Sequence, residues 1–346
     1  MTSRPTEFGR IFPPDEPWLA QGRPEEILLP DLPIVDPHHH LWDAFGFRYL
    51  PAEFAADTGS GHRVVATVHA ECHSAYRTDG PPELRPVGET EHIAALAATA
   101  DATGGPTRVA AGIIGSADLG LGAAVADVLE QHIVAGQGRF RGVRLNASWD
   151  PSPQIRLGPP TARPQLLAEP AIREGVRTVA EFGLALDLWL LFPQLGDAVE
   201  LADAVPAARL VLDHCGGPLG FGPYASEGAE HFAHWERGLR ALAERPNVVC
   251  KLGGIMGCAA AFDYLRAPIP PSSEELAALW RPWFEVCVDA FGPQRCMFES
   301  NFPVEKVGTG YATLWNTFKR LASGASAEEL SALFSRTAGR TYQLTL

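Results

Sequence analysis

Long apolar runs are missing from this chain. No stretch reaches the ~18–20 uninterrupted apolar residues that a membrane helix needs, so a membrane is not the expected partner. Cysteine is scarce as well. The six, at positions 72, 215, 250, 258, 287 and 296 of 346 residues, include no CxxC pair. A disulfide scaffold and a Cys-rich zinc ribbon are thereby excluded, and reduced, mostly buried thiols are expected. Positive charge is in deficit, with 28 Lys and Arg against 41 Asp and Glu, a net charge of −13. An acidic surface excludes nucleic acid and anionic lipid as natural partners. Residues 1–24 are polar and Pro-rich, with no apolar signal-peptide stretch, and the cytoplasm is the expected compartment. Internal repeats and low-complexity segments are also absent.

What is present is a soluble globular composition, 46% apolar and 20% charged. Prolines at 5, 13, 14, 17, 24, 30 and 33 preclude a long helix near the start, so residues 1–31 read as an extended arm. Beyond it, short apolar runs alternate with amphipathic or Ala-rich stretches. The runs are 32–36, 64–71, 109–114, 140–145, 184–191, 209–214, 248–252 and 297–300. Most are apolar along their whole length, as strands buried on both faces are. The clearer helical stretches are 91–102, 123–135, 171–182, 195–204, 229–244 and 274–291. Ser272 with Glu275, and Ser326 with Glu329, have capping-box spacing. Eight strands alternating with helices predict one parallel (β/α)8 TIM barrel over residues 32–346, of class α/β. The span from 33 to 303 is close to the ~250 residues typical of that barrel. A doubly wound open sheet is the competitor. It would ordinarily carry a Gly-rich phosphate turn after its first strand, where this chain has histidines.

Catalytic groups of a (β/α)8 barrel sit at the C-terminal ends of its strands, which leaves eight short windows to inspect. The first is Asp36-Pro37-His38-His39-His40. Residues two apart on an extended segment face the same way, so His38 and His40 should point inward together. Paired imidazoles are a ready site for a transition metal. His214 ends the sixth run and is followed by Cys215-Gly216-Gly217. Glu299 and Asn301 share one face of the eighth run. The second run supplies His69 and Glu71, the fourth Arg144, the seventh Lys251. Arg144 suits a substrate carboxylate, with a structural ion pair to Glu71 or Asp187 as the alternative. Lys251 suits an anion or carbonyl oxygen, with a structural pair as the alternative.

The segments Asp36-x-His38-x-His40-Leu41-Trp42, Asp213-His214-x-Gly216-Gly217-Pro218, Lys251-Leu252-Gly253-Gly254 and Phe298-x-Ser300-x-x-Pro303 resemble the amidohydrolase superfamily. More narrowly, they are similar to its TIM-barrel metal-dependent hydrolases, a branch that includes 2-pyrone-4,6-dicarboxylate lactonase and the sugar-acid lactonases. The resemblance runs from about residue 32 to the C-terminus. It implies a barrel that hydrolyses a lactone or related acyl bond, and Arg144 adds the expectation of a small, carboxylate-bearing substrate. Two positions depart from the pattern. Relatives end strand eight in an aspartate that acts as base or metal ligand, where this chain has Asn301. They also carry a Tyr-His pair late in strand five, where this chain has Leu191-Phe192. Asparagine cannot take a proton from water.

The resulting expectation is a hydrolase whose catalytic residues are His38, His40, His214, Glu299 and Asn301. His38, His40 and His214 would hold one divalent ion, zinc before others, with a metal-free site as the alternative. Glu299 is the first candidate for the base, before His214 or a metal-bound hydroxide. His69, Glu71, Arg144 and Lys251 would bind substrate. A non-oxidative decarboxylase and a repurposed non-hydrolytic barrel are the competing readings. The oligomeric state is open, a homo-oligomer included.

Overall fold

The computed structural model describes residues 11–155, 157–257 and 267–345. Eight parallel strands follow one another around a single sheet: β1 (Ile34–His39), β2 (Val64–Ala70), β3 (Arg108–Gly115), β4 (Phe140–Asn146), β5 (Ala185–Trp189), β6 (Arg209–Leu212), β7 (Val248–Leu252) and β8 (Cys296–Phe298). The ends of the sheet meet, because Asn301 N donates to His38 O at 2.8 Å and His40 N to Phe302 O at 2.7 Å. Each strand leads to a helix: α1 (Pro51–Thr58), α2 (Val87–Ala102), α3 (Val125–Ala135), α4 (Pro170–Glu181), α5 (Leu195–Ala204), α6 (Gly228–Ala243), α7 (Ser273–Phe291) and α8 (Tyr311–Leu321). This is the (β/α)8 barrel that the alternating runs predict. Both capping boxes form, at the start of α7 and at Ser326. No described helix is long and apolar enough to cross a membrane.

Of residues 1–31, expected to form an arm, residues 1–10 lie outside the described residues. Residues 11–31 make one helical turn, Glu16–Leu19, reach the mouth cavity at Ile11 and bond to α8. Leu28 N donates to Asn316 Oδ1 at 2.9 Å, and Lys319 Nζ donates to Leu28 O at 2.7 Å.

Inside the barrel, side chains form layers, as successive inward positions of neighbouring strands must. The lower interior is small and apolar: Val35, Ala66, Val68, Ala111, Ala185, Val211 and Met297. Tyr342 from the C-terminal segment packs into it and is fully buried. Two residues further along their strands, Asp187, Asp213, Lys251 and Glu299 form an ionic middle layer with no exposure. Above it lies the mouth. A change of register between Asp36 and His39 turns the parity of β1, so Val35 and His38 face the same interior. Irregularities of this kind re-aim side chains beside active sites.

Candidate active site

His38 and His40 point inward, as their spacing predicts. His39 points outward, stacking on Phe54 of α1 at 4.2 Å and bonding Thr67 Oγ1 through Nε2 at 2.9 Å. His40 Nδ1 lies 2.8 Å from the carbonyl of Ala70. A carbonyl only accepts, so Nδ1 carries the proton and Nε2 presents its lone pair. That lone pair faces His38 Nε2 at 3.3 Å and Asn301 Oδ1 at 3.2 Å. Burial, then the neighbouring His38 and Arg144, hold His40 well below the ordinary imidazole range, which keeps it neutral.

His214 stands beside His38, ring centroids 4.7 Å apart. Its Nδ1 is 2.7 Å from Glu299 Oε1, which also accepts the His214 backbone N–H at 3.1 Å. Glu299 Oε2 lies 3.0 Å from His38 Nδ1. Burial works against charge on His214, but the Glu299 carboxylate outweighs it and raises the imidazole above its usual value. Burial likewise opposes ionisation of Glu299, and the two imidazoles overcome it and hold the carboxyl low. The backbone here is left-handed for four residues in a row, with φ of 55° at His214, 52° at Cys215, 72° at Gly216 and 59° at Gly217. Only the two glycines adopt this freely. The strain at His214 and Cys215 is of the kind that persists where surroundings over-determine a functional residue. Asn301 is left-handed too, at φ 51°.

Three expectations need correction. Glu299 is fully buried between two imidazoles and does not line the cavity, so it cannot meet a substrate water itself. Lys251 is equally buried. Its ammonium lies 2.6 Å from Asp187 Oδ2, 3.0 Å from Asp213 Oδ1 and 3.0 Å from His38 Nδ1, while Tyr342 donates to Asp187 at 2.9 Å. It is a structural cation below the site, not a substrate contact. His69 has the opposite parity from Val68 and faces Glu89 of α2, Nε2 to Oε1 at 3.3 Å. The fourth anchor is only half available. Arg144 Nε donates to Glu71 Oε1 at 2.9 Å and Nη2 to the Glu71 carbonyl at 2.6 Å. The carboxylate expected from a substrate is therefore supplied by Glu71.

The cavity at the mouth measures about 290 Å³ and is lined by His40, Trp42, Arg144, Trp189, His214 and Asn301, among others. Trp42 stacks on His40 with centroids 5.7 Å apart, and the edge of Trp189 meets the His214 ring at 4.8 Å, so both imidazoles are clamped by indoles. The sequence reading missed Glu305, which also lines the cavity. Burial raises its carboxyl to about 7, and its Oε1 accepts from Asn301 Nδ2 at 3.4 Å. It lies beyond Pro303, outside any strand, where the pattern of runs gives no signal.

The donors at the mouth fit a metal ion. On a tetrahedral zinc, two imidazole nitrogens at ~2.0–2.1 Å stand about 3.3 Å apart, the His38–His40 separation. The Asn301 oxygen facing the His40 lone pair is a further acceptor with no proton between them. His38, Asp213 and His214 also bring ligand atoms within 4.8 Å of one another. The Lys251 ammonium already stands among them, and a second cation there would be repelled. Of the expected three histidines, His38 and His40 together with the Asn301 oxygen form the donor group with room for an ion, while His214 shares its neighbourhood with Asp213 and the Lys251 ammonium.

The model of the amidohydrolase family matches residues 35–344. The chain belongs to the amidohydrolase family. It is similar to the uncharacterized protein y4mH of Sinorhizobium fredii, 32% identical over 91% of this chain and 100% of that one. It is 25% identical to an L-fucono-1,5-lactonase of Burkholderia ambifaria, over 79% of this chain and 81% of the lactonase. Among solved structures, an amidohydrolase of Burkholderia multivorans with zinc bound superposes with a TM-score of 0.69. That match is 25% identical and covers 90% of this chain and 99% of the other. As a member of this family the protein is a hydrolase.

Proposed function

We propose that this amidohydrolase opens the ring of a neutral, hydroxylated lactone, with His214 as the base and Glu299 as the group that orients it. The His214–Glu299 pair carries the reading: a cavity-facing imidazole whose far nitrogen is bonded to a buried carboxylate at 2.7 Å. The same logic serves the histidine of hydrolytic triads, where the carboxylate fixes the tautomer and stabilises the imidazolium without taking the proton. His214 Nε2 removes a proton from water as the oxygen attacks the lactone carbonyl carbon. It then returns that proton to the ring oxygen as the acyl C–O bond breaks. The products, on one chain, are an alcohol and a carboxylic acid that ionises to its carboxylate and releases water's second proton to solvent. A divalent ion on His38, His40 and Asn301 Oδ1, when bound, supplies Lewis acidity toward the carbonyl oxygen. Trp42 and Trp189 narrow the mouth and limit water.

The neutrality of the substrate follows from charge pairing. Both cationic candidates are already matched, Arg144 by Glu71 and Lys251 by Asp187 and Asp213. A free carboxylate on the substrate finds no unpaired cation among the described cavity residues. Similarity to a lactonase named for a sugar-acid lactone points the same way. The test is a panel of aldonolactones followed by proton release at neutral pH, with carbon dioxide measured in parallel. Ring opening that is lost in His214→Asn supports the reading. Carbon dioxide release, or preference for a lactone dicarboxylate over every neutral lactone, overturns it.

A further inference from the structure

We infer that the substrate is larger than a single sugar-acid ring, and that a second chamber takes a neutral, hydroxyl-rich extension such as a further sugar ring. This rests on the lactone reading above and extends it. Beside the catalytic cavity lies a cleft of about 610 Å³ that shares His73, Arg144 and Asn146 with it. Ligand pockets span roughly 300–1,000 Å³. The catalytic cavity, at about 290 Å³, is therefore the size of one small ring, and the cleft offers about twice that space again.

The junction between the two is chemically prepared. Glu71 is buried and lines the cleft, yet its Oε2 has no hydrogen-bond partner. His73 Nδ1 comes within 3.3 Å of that oxygen but makes its hydrogen bond, at 2.8 Å, with the Tyr76 hydroxyl. A buried carboxylate oxygen without a donor is destabilising, and a ligand donor would relieve that cost. Next to it, Arg144 has committed Nε and Nη2 to Glu71, which leaves Nη1 as its free donor nitrogen. A vacant acceptor beside a vacant donor suits a hydroxyl, which is both at once, or two adjacent hydroxyls. Charge disfavours an anionic extension. The acidic groups of the cleft are Glu71, Glu83 and Asp118. Among the described residues its cations are Arg144 and Arg163, the latter held by Glu169 in a forked pair. An anionic extension would meet surplus negative charge among the described residues, whereas a hydroxyl meets the vacant acceptor and the vacant donor together.

The experiment compares kcat/KM for gluconolactone and cellobionolactone, which differ by one glucosyl ring, with spontaneous opening subtracted. At least a tenfold preference for the larger lactone is expected. In Ser116→Phe, which places a ring in the cleft outside the catalytic cavity, the ratio of the two values should fall at least tenfold. Leu121→Trp, at the exposed rim, is expected to lower the same ratio and serves where the first variant does not fold. A wild-type ratio near one overturns the inference, whatever the variants do, while leaving the lactonase reading intact. A preference that neither variant alters overturns the assignment to this cleft. No turnover of any lactone overturns both readings.

Discussion

Replacing Gly254 by alanine tests whether the His214–Glu299 pair is the working centre. Gly254 follows β7 with φ +63°, and a Cβ built on it would lie 2.0 Å from His214 Nδ1 and 2.4 Å from its Cγ. Ordinary contact begins near 3.4 Å, so the imidazole must retreat by about 1.4 Å or the backbone must move. A retreat of that size stretches the 2.7 Å bond to Glu299 beyond hydrogen-bond range. Two costs follow. Left-handed backbone at a residue with a Cβ costs roughly 1–2 kcal/mol, and overpacking adds about 1–3 kcal/mol, so Gly254→Ala should lose about 2–5 kcal/mol of stability. Misplacement of a catalytic group by about 1 Å costs about a hundredfold in rate, so kcat/KM should fall at least that far in the fraction still folded. The assay pairs urea unfolding with lactone kinetics below the unfolding transition. Gly196→Ala is the control, since Gly196 lies exposed in α5 with nothing within 4 Å of a built Cβ, and it should be neutral or slightly stabilising. Wild-type kcat/KM in a folded Gly254→Ala protein would refute the assignment of His214.

Lys251→Met should cost about 3–5 kcal/mol in urea unfolding, because it leaves Asp187 and Asp213 buried without their cation. A loss below about 1 kcal/mol would show that the ionic layer is not coupled as described. Asn301→Asp adds a carboxylate 3.2 Å from His40 Nε2 and should tighten zinc binding at least tenfold in competition with a chromogenic chelator; unchanged affinity would remove Asn301 from the donor set. Glu305 carries a pKa of about 7, raised by burial from 4.5, so the folded state binds the extra proton. Its contribution is therefore present below about pH 4.5 and lost as pH rises to about 7, by up to about 3 kcal/mol. Glu305→Gln should be more stable than the parent at pH 8 by a sizeable part of that amount and not at pH 4.5, and an equal difference at both pH values would contradict the burial of this carboxyl.

Some of this was legible in the sequence because it is local. Strands buried on both faces must be apolar throughout, so the eight runs stand out, and a spacing of two puts His38 and His40 on one side. The same property hid other features. In Val64–Ala70 every position but two is apolar, so the run does not say which parity faces the interior, and His69 turned out to face the helices. The bulge between Asp36 and His39 changes parity without a residue type that announces it. Lys251 looked like an anion site because its partners are remote in sequence: Asp187 and Asp213 lie on other strands, and Tyr342, bonded to Asp187, comes from the far end of the chain. Gly253 and Gly254, by contrast, were visible as a motif but not as a reason. Their hydrogens leave room for Glu299 and His214, which a Cβ at either position would strike.

The exchange of aspartate for Asn301 is best understood together with Glu299. Asn301 lines the cavity, whereas Glu299, two residues earlier in the chain, is buried beneath it. The strand therefore keeps one inward carboxylate but carries it below the mouth. At the mouth it would face a metal ion directly; in its actual place it bridges His38 and His214 and is shielded from solvent. The charge acts on the imidazoles instead of on the ion. It raises the proton affinity of His214 and stabilises the imidazolium that forms when water is deprotonated, while an ion at His38, His40 and Asn301 gains only neutral donors. Such a site should keep hydrolysis when metal is partly lost, because its base and the orientation of that base are built from side chains. Its rate should then depend on Glu299 more than on the ion. Loss of activity on chelation that exceeds the loss in Glu299→Gln would reverse that order and return the central role to the metal.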